Sequence, residues 1–159
     1  MARAPNINRS KIHEPIVQRL AVDKLPEIGK SLFPTIRELL SFAALLGYSE
    51  GRKIPLNSKL GTEDIGGSVY EHHEAMEIIY ALAIAENNSS DILKEGREAE
   101  CAKIYEEYAN GGLELITDWL TAYADQSPEK AIFNGLLNAD YLAKETNDGV
   151  EENIKNIGF

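Results

Sequence analysis

The chain has one cysteine, Cys101, among 159 residues. No internal disulfide can form, and this usage fits a reducing compartment. Long apolar runs are also missing. The longest, Ile78 to Ala85, falls well short of the roughly 20 residues that carry a helix through a bilayer. Met1 to Lys11 is polar and basic, without the apolar stretch of a secretory signal. A cytoplasmic protein is expected. Basic residues do not interleave with the aromatics: the seven tyrosines fall mostly at helical spacing with aliphatics, and Tyr105 and Tyr108 flank Glu106 and Glu107, so packing explains them better than base stacking. Positive charge is scarce as well: 16 Lys and Arg face 26 Asp and Glu, a formal net charge of −10. That balance argues against a stand-alone DNA binder.

What charge there is divides unevenly. Residues 1–60 hold ten Lys/Arg against five Asp/Glu; residues 61–159 hold six against twenty-one. A cationic front end can meet an anion while the remainder repels it. The 43% hydrophobic content suits one folded domain of this length, which buries roughly 70% of its unfolded surface. The expected organisation is a flexible basic arm over 1–14, one helical domain over 15–144 and a loose acidic tail over 145–159.

The helix signals are local. Ile16, Val17 and Leu20 have helical spacing after Pro15, and Pro26 and Gly29 end that run. Thr35 and Glu38 form a capping box, followed by Ile36, Leu39, Leu40, Ala43 and Leu46 on one face, with Gly47 as the stop. A glycine-rich connection over 48–67 follows, with a strand-like piece at Lys53 to Leu56. Ser68 and Glu71 predict a second cap and a helix from Val69 to Glu86, with Tyr70, His73, Met76, Tyr80 and Ile84 in register. Asn87 to Ser90 ends it, and a short helical turn is expected over 91–95. A helix over 97–109 is expected to break at Asn110-Gly111-Gly112. Another continues over 113–123. Ser127-Pro128 starts a last helix, burying Ile132, Phe133, Leu136, Leu137 and Tyr141. The fold class is therefore all-α: a compact bundle of five or six helices.

Four sequence patterns bear on chemistry. Gly61 to Ser68 has the outline of a phosphate loop, but Gly67 replaces the lysine, and Glu63 and Asp64 would repel phosphate. His72, His73, Glu74 and Glu77 cluster at one helix start. A zinc-protease helix needs a second histidine where Glu77 stands, and a di-iron bundle needs Glu three residues before His. Neither holds, so no metal and no cofactor is expected. Cys101 lies on the Ile104, Tyr105 and Tyr108 stripe and reads as a small buried hydrophobe. The best contact candidates are basic: Arg52, Lys53 and Lys59 on the connection, with Arg9 and Lys11 on the arm. These would touch DNA or an acidic partner. Three phosphate contacts would be weak, losing about 40-fold in affinity between 50 and 200 mM salt.

Two stretches carry a family resemblance: Phe33 through Tyr48, continuing over Gly51-Arg52-Lys53-Ile54-Pro55-Leu56, and Ile104-Tyr-Glu-Glu-Tyr-Ala-Asn-Gly-Gly-Leu-Glu-Leu-Ile116. Together, over about residues 20–125, they resemble the Dnd system-associated protein 4 family, which accompanies bacterial systems that replace a backbone phosphate oxygen of DNA with sulfur. The resemblance implies a setting in DNA phosphorothioation or phage defence, with no catalytic motif to carry over. It agrees with the lack of desulfurase, ATPase and nuclease signatures. The expectation is a non-enzymatic accessory protein acting as an adaptor. Its partners would be other proteins of the phosphorothioation or restriction system, with DNA touched inside a complex and self-association open. The alternative is a weak DNA-binding subunit using the arm and the Arg52/Lys53 loop.

Overall fold

A computed structural model of the chain describes residues 4–72 and 75–142. These form six α-helices, three 3-10 turns and a two-stranded sheet. The helices are α1 (Glu14–Ala21), α2 (Ile36–Ser49), α3 (Gly67–His72), α4 (Met76–Asn87), α5 (Glu98–Ala122) and α6 (Pro128–Asn138). The strands are β1 (Ile7–Ser10) and β2 (Thr62–Ile65). The chain clusters into two compact units, Met1–Asp118 and Trp119–Phe159. The mainly helical class agrees with the sequence pattern, and the small sheet was not expected.

Residues 7–14 correct the expectation of a flexible arm. β1 pairs antiparallel with β2, Ile7 opposite Ile65 and Ser10 opposite Thr62. The 3-10 turn Lys11–His13 leads directly into α1. Ile7 is buried and anchors the strand by apolar burial. Polar groups then stitch the segment to β2 and α3. The Ala4 N–H donates to Glu71 Oε1 at 2.8 Å, Asn6 Nδ2 donates to Asp64 Oδ2 at 2.9 Å, and the Asn6 side-chain oxygen accepts from the Gly67 N–H. A phosphate-like loop at 61–68 is thereby ruled out as a site. Half of it is strand, and the first amide of α3 is already taken. The strand-like piece expected at 53–56 is an extended loop without strand pairing.

In the first unit, α1 packs on α2, and α4 packs on α2 and on the 3-10 turn Ser90–Leu93. Ile7, Leu20, Leu39, Leu40, Ile79, Ile92, Leu113 and Ile116 are fully buried large aliphatic side chains of its core. The Thr35 cap forms as expected, its hydroxyl oxygen accepting the Glu38 N–H at 3.1 Å. The stop at Gly47 does not. α2 continues to Ser49, and the left-handed residue is Gly51, φ +66°. Gly47 is instead a point of close approach. A Cβ there would lie 2.1 Å from the Tyr108 carbonyl oxygen.

The same requirement explains the largest departure from the sequence pattern, for α5 runs unbroken through Gly111-Gly112. A Cβ on Gly112 would sit 1.8 Å from the Ala43 carbonyl oxygen, and one on Gly111 1.9 Å from that of Arg52. The glycines let α5 touch α2 and the following loop backbone to backbone. Their conformational freedom is not used. α3 and α4 also differ from the single helix expected over 69–86. The buried residues of α4 are Ile79, Leu82 and Ala83, while Ile84 is exposed, because the helix restarts at Met76 in a new register. α4 ends at left-handed Asn88, φ 52°, within the polar stop predicted there.

The second unit contains the end of α5 and α6. Proline opens α6 as expected, but the Ser127 hydroxyl makes no cap hydrogen bond. Gly135 lies flat on the Trp119 ring, where a Cβ would be 2.1 Å from Cδ2. Asn134 Nδ2 donates to Gln126 Oε1 at 2.6 Å. Ile132 is buried, whereas Phe133 and Tyr141 are exposed. Gly135 in place of a large residue turns the buried face toward Ala131 and Ile132. The acidic tail expected over 145–159 lies outside the described residues.

Candidate functional site

The loop after α2 lies across α5 and is bound to it by its backbone. The Ile54 N–H donates to the Glu107 carbonyl of α5 at 3.0 Å, while the Arg52 N–H donates back to the Gly47 carbonyl of α2 at 2.8 Å. Asn110, buried on α5, donates from Nδ2 to the carbonyl oxygens of Ile54 at 3.1 Å and Pro55 at 3.4 Å. Pinning the backbone in this way leaves the side chains of residues 52–60 as presented surface.

The five basic residues singled out in the sequence do not form one cationic patch. Arg52 faces Asp118 at 3.0 Å and Glu114 at 3.6 Å. Lys53 pairs with Glu86 at 2.7 Å and stands 5.6 Å from the centroid of the Tyr108 ring, a cation–π contact. Glu86 also accepts from the Tyr108 hydroxyl. The hydrogen bond from Lys53, then that from Tyr108, holds the Glu86 carboxyl below its usual range. Arg9, expected on a mobile arm, is 8% exposed and bonds Glu14 through Nε at 2.5 Å. Lys11 lies 3.6 Å from Glu63 at the surface. Lys59 alone among the five has no carboxylate within ion-pair distance among the described residues.

Two hollows flank the loop. One, of about 480 Å³, is walled by Ile12, Pro15, Ile54 and Leu60 and floored by His13 and Asn110. Burial lowers the His13 pKa, opposed by the adjacent Asn110 amide and the Glu114 carboxylate. Asn110 Oδ1 is buried there without a hydrogen bond in proper geometry. The other, of about 450 Å³, is lined by Asn8, Pro55, Leu56, Lys103, Glu106 and Glu107. Glu106 accepts the Asn8 N–H at 2.6 Å. Burial raises its pKa, with Glu107 adding to the rise and the Asn8 amide opposing it. Glu107 is 8% exposed, and its carboxylate has no hydrogen-bond or ion-pair partner among the described residues. Residues 103, 106 and 107 are spaced to share one helix face, yet Lys103 completes an ion pair with neither glutamate.

Sequence reading missed Glu106 and Glu107 as site residues. The signal for Glu107 was its spacing from Ile104, Asn110 and Gly111. That spacing becomes visible once the helix is carried through the glycines instead of being broken there.

The remaining sequence candidates are quiet. Cys101 is buried, its thiol donates to the Ile92 carbonyl at 3.4 Å, and burial pushes its pKa up. That makes it a poor nucleophile. His73 and Glu74 lie outside the described residues. Among the described residues, no group of three or more His, Cys, Asp or Glu side chains is placed to hold a metal ion. No described helix is long and apolar enough to cross a membrane.

The sequence model of a family described as DNA sulphur modification system-associated protein 4 matches residues 6–153. The chain belongs to this family. The family match extends beyond the 20–125 stretch that carried the resemblance, taking in β1, where an unrelated arm was expected. No curated relative and no solved structure matches the chain. The family description sets this protein beside a DNA sulphur modification system as an associated component.

Proposed function

We propose that the protein is a non-enzymatic accessory component of a DNA sulphur modification system, working as a helical adaptor. It docks on a basic surface of another protein of that system. The observation that carries this reading is internal neutralisation: Arg52 and Lys53, the best placed cations for DNA, each face carboxylates of their own chain. A phosphate would have to displace those carboxylates, against a chain whose formal net charge is −10. Like-charge repulsion of that kind disfavours an anionic partner and favours a cationic one. The family membership supplies the setting.

The test is affinity capture from cells that carry the native system. Recovery of a DNA-sulphur-modification or restriction protein, persisting after nuclease treatment, supports the adaptor reading. Recovery of none overturns it. A companion measurement addresses DNA. Replacing Arg52 and Lys53 together by Ala is expected to leave any salt dependence of duplex binding unchanged. A slope flattened by about two log–log units would favour the DNA-binding alternative.

A further inference from the structure

The Glu106/Glu107 hollow is lined by a largely buried residue, Glu107, 8% exposed, whose carboxylate has no hydrogen-bond or ion-pair partner among the described residues and borders the hollow. A carboxylate at the wall of such a hollow is better served by a cationic donor than by an apolar or anionic group. Glu107 lies on the loop-facing side of α5, its backbone carbonyl committed to the Ile54 amide and its side chain without a hydrogen-bond partner among the described residues. Glu106 next to it is held by the backbone amide and the side chain of Asn8 and, with two carboxylate oxygens, keeps acceptor capacity to spare. Pro55 and Leu56 supply apolar walls.

We infer that this hollow receives an arginine side chain from the protein partner. Its methylenes would lie against Pro55 and Leu56, and its guanidinium would bridge Glu106 and Glu107. The charge fits, since two carboxylates face one rim lysine. The donor count fits too, because a guanidinium carries five N–H groups in a planar fork suited to carboxylate oxygens. The volume of about 450 Å³ is ample for one such side chain. A metal ion is less well served. Only two acidic groups meet here, and hard divalent ions take six or more oxygen ligands. The inference rests on the adaptor reading for the source of the arginine.

The experiment titrates the full-length, ¹⁵N-labelled protein at low ionic strength with N-acetyl-arginine amide. Its uncharged isostere, N-acetyl-citrulline amide, is run in parallel. The expected result is saturable shifts at the amides of Asn8, Leu56, Glu106 and Glu107 with the arginine probe alone. Glu107→Gln should weaken that binding about tenfold, the loss of one charge-assisted hydrogen bond. Glu106→Gln provides a second variant should the first fail to fold. Three results overturn the site: equal response to the citrulline probe, binding unchanged in both variants, or the same shifts produced by calcium chloride.

Affinity capture separates this site from the adaptor reading. Equal recovery of a system component by wild type and Glu107→Gln discards the hollow and leaves the adaptor standing. An empty wild-type capture discards the adaptor, while the probe titration still decides whether the hollow binds arginine.

Discussion

Gly112 of α5 meets the backbone of Ala43 in α2, so close that a single added methyl group would overlap the Ala43 carbonyl oxygen. Alanine in place of a mid-helix glycine normally stabilises by about 1 kcal/mol. Overpacking a rigid contact costs about 1–3 kcal/mol, and here the obstacle is backbone on a packed helix. Gly112→Ala should therefore be net destabilising, read as a lower urea midpoint. Gly111→Ala, which meets the Arg52 carbonyl of a loop, should destabilise less, because a loop can yield where a helix cannot. A rise in midpoint for Gly112→Ala would show that the helices separate at little cost.

Three buried hydroxyls form a relay. Tyr105 is bonded to Ser41 at 3.0 Å and to Tyr70 at 3.0 Å, and the two tyrosine rings meet edge to face at 5.7 Å. Tyr105→Phe strips the partner from both neighbours and should cost about 1–3 kcal/mol. Tyr70→Phe leaves Tyr105 bonded to Ser41 and should cost about 1 kcal/mol. Thermal unfolding of the two single variants tests the order.

The same relay predicts alkaline sensitivity. Burial pushes the Tyr105 pKa up to about 12 and raises that of Tyr70 further, whereas an unfolded tyrosine titrates near 10. The folded state holds these protons more tightly. Their contribution is fully present below about pH 10 and is lost as pH rises through about 12. Absorbance at the tyrosinate band and far-ultraviolet dichroism should change together over that window. Free ionisation of every tyrosine near pH 10 without unfolding would contradict the packing.

Glu86 joins the loop to α5 by accepting from both Lys53 and Tyr108. Its pKa is depressed, so the associated stability is present above the ordinary carboxylate pKa and fades as pH falls through the lowered value. Glu86→Gln should cost about 1 kcal/mol at neutral pH and less in acid. Denaturant midpoints at two pH values check this.

Asn110 is a buried side-chain tie between α5 and the backbone of the loop. Asn110→Ala removes both donors to the carbonyls of Ile54 and Pro55, which should cost about 1–3 kcal/mol. It should also speed hydrogen exchange at the Ile54 amide. The cap of α2 at Thr35, far along the chain, should keep its protection. Global acceleration of exchange would mean that the loop is integral to the core instead of being tied onto it.

Capping and helix-ending residues were legible without coordinates because their partners lie within a few positions. Thr35 with its Glu38 amide, left-handed Asn88 and Pro128 at the start of α6 are all of that kind. So was the mainly helical class, and the two motif stretches led to the family whose model spans residues 6–153. The amphipathic patterns that announce helices say nothing about which helices touch. Gly47, Gly111 and Gly112 therefore read as stops and breaks, when they are the places where α2, α5 and the loop come into backbone contact. The pairing of β1 with β2 was equally hidden, since its partners are more than fifty residues apart and each strand is only four residues long.

Charge was countable from the outset, but its disposition was not. Ten basic residues in the first 60 positions describe a cationic segment on paper. The fold sets Arg9, Lys11, Arg52 and Lys53 against carboxylates drawn from across the chain, and leaves the Glu107 carboxylate without a cationic partner among the described residues. Composition determined how many charges the protein carries and how they divide along the chain. Tertiary structure decided which of them are satisfied, because Coulomb attraction and desolvation act through distances of a few ångströms that chain order does not specify.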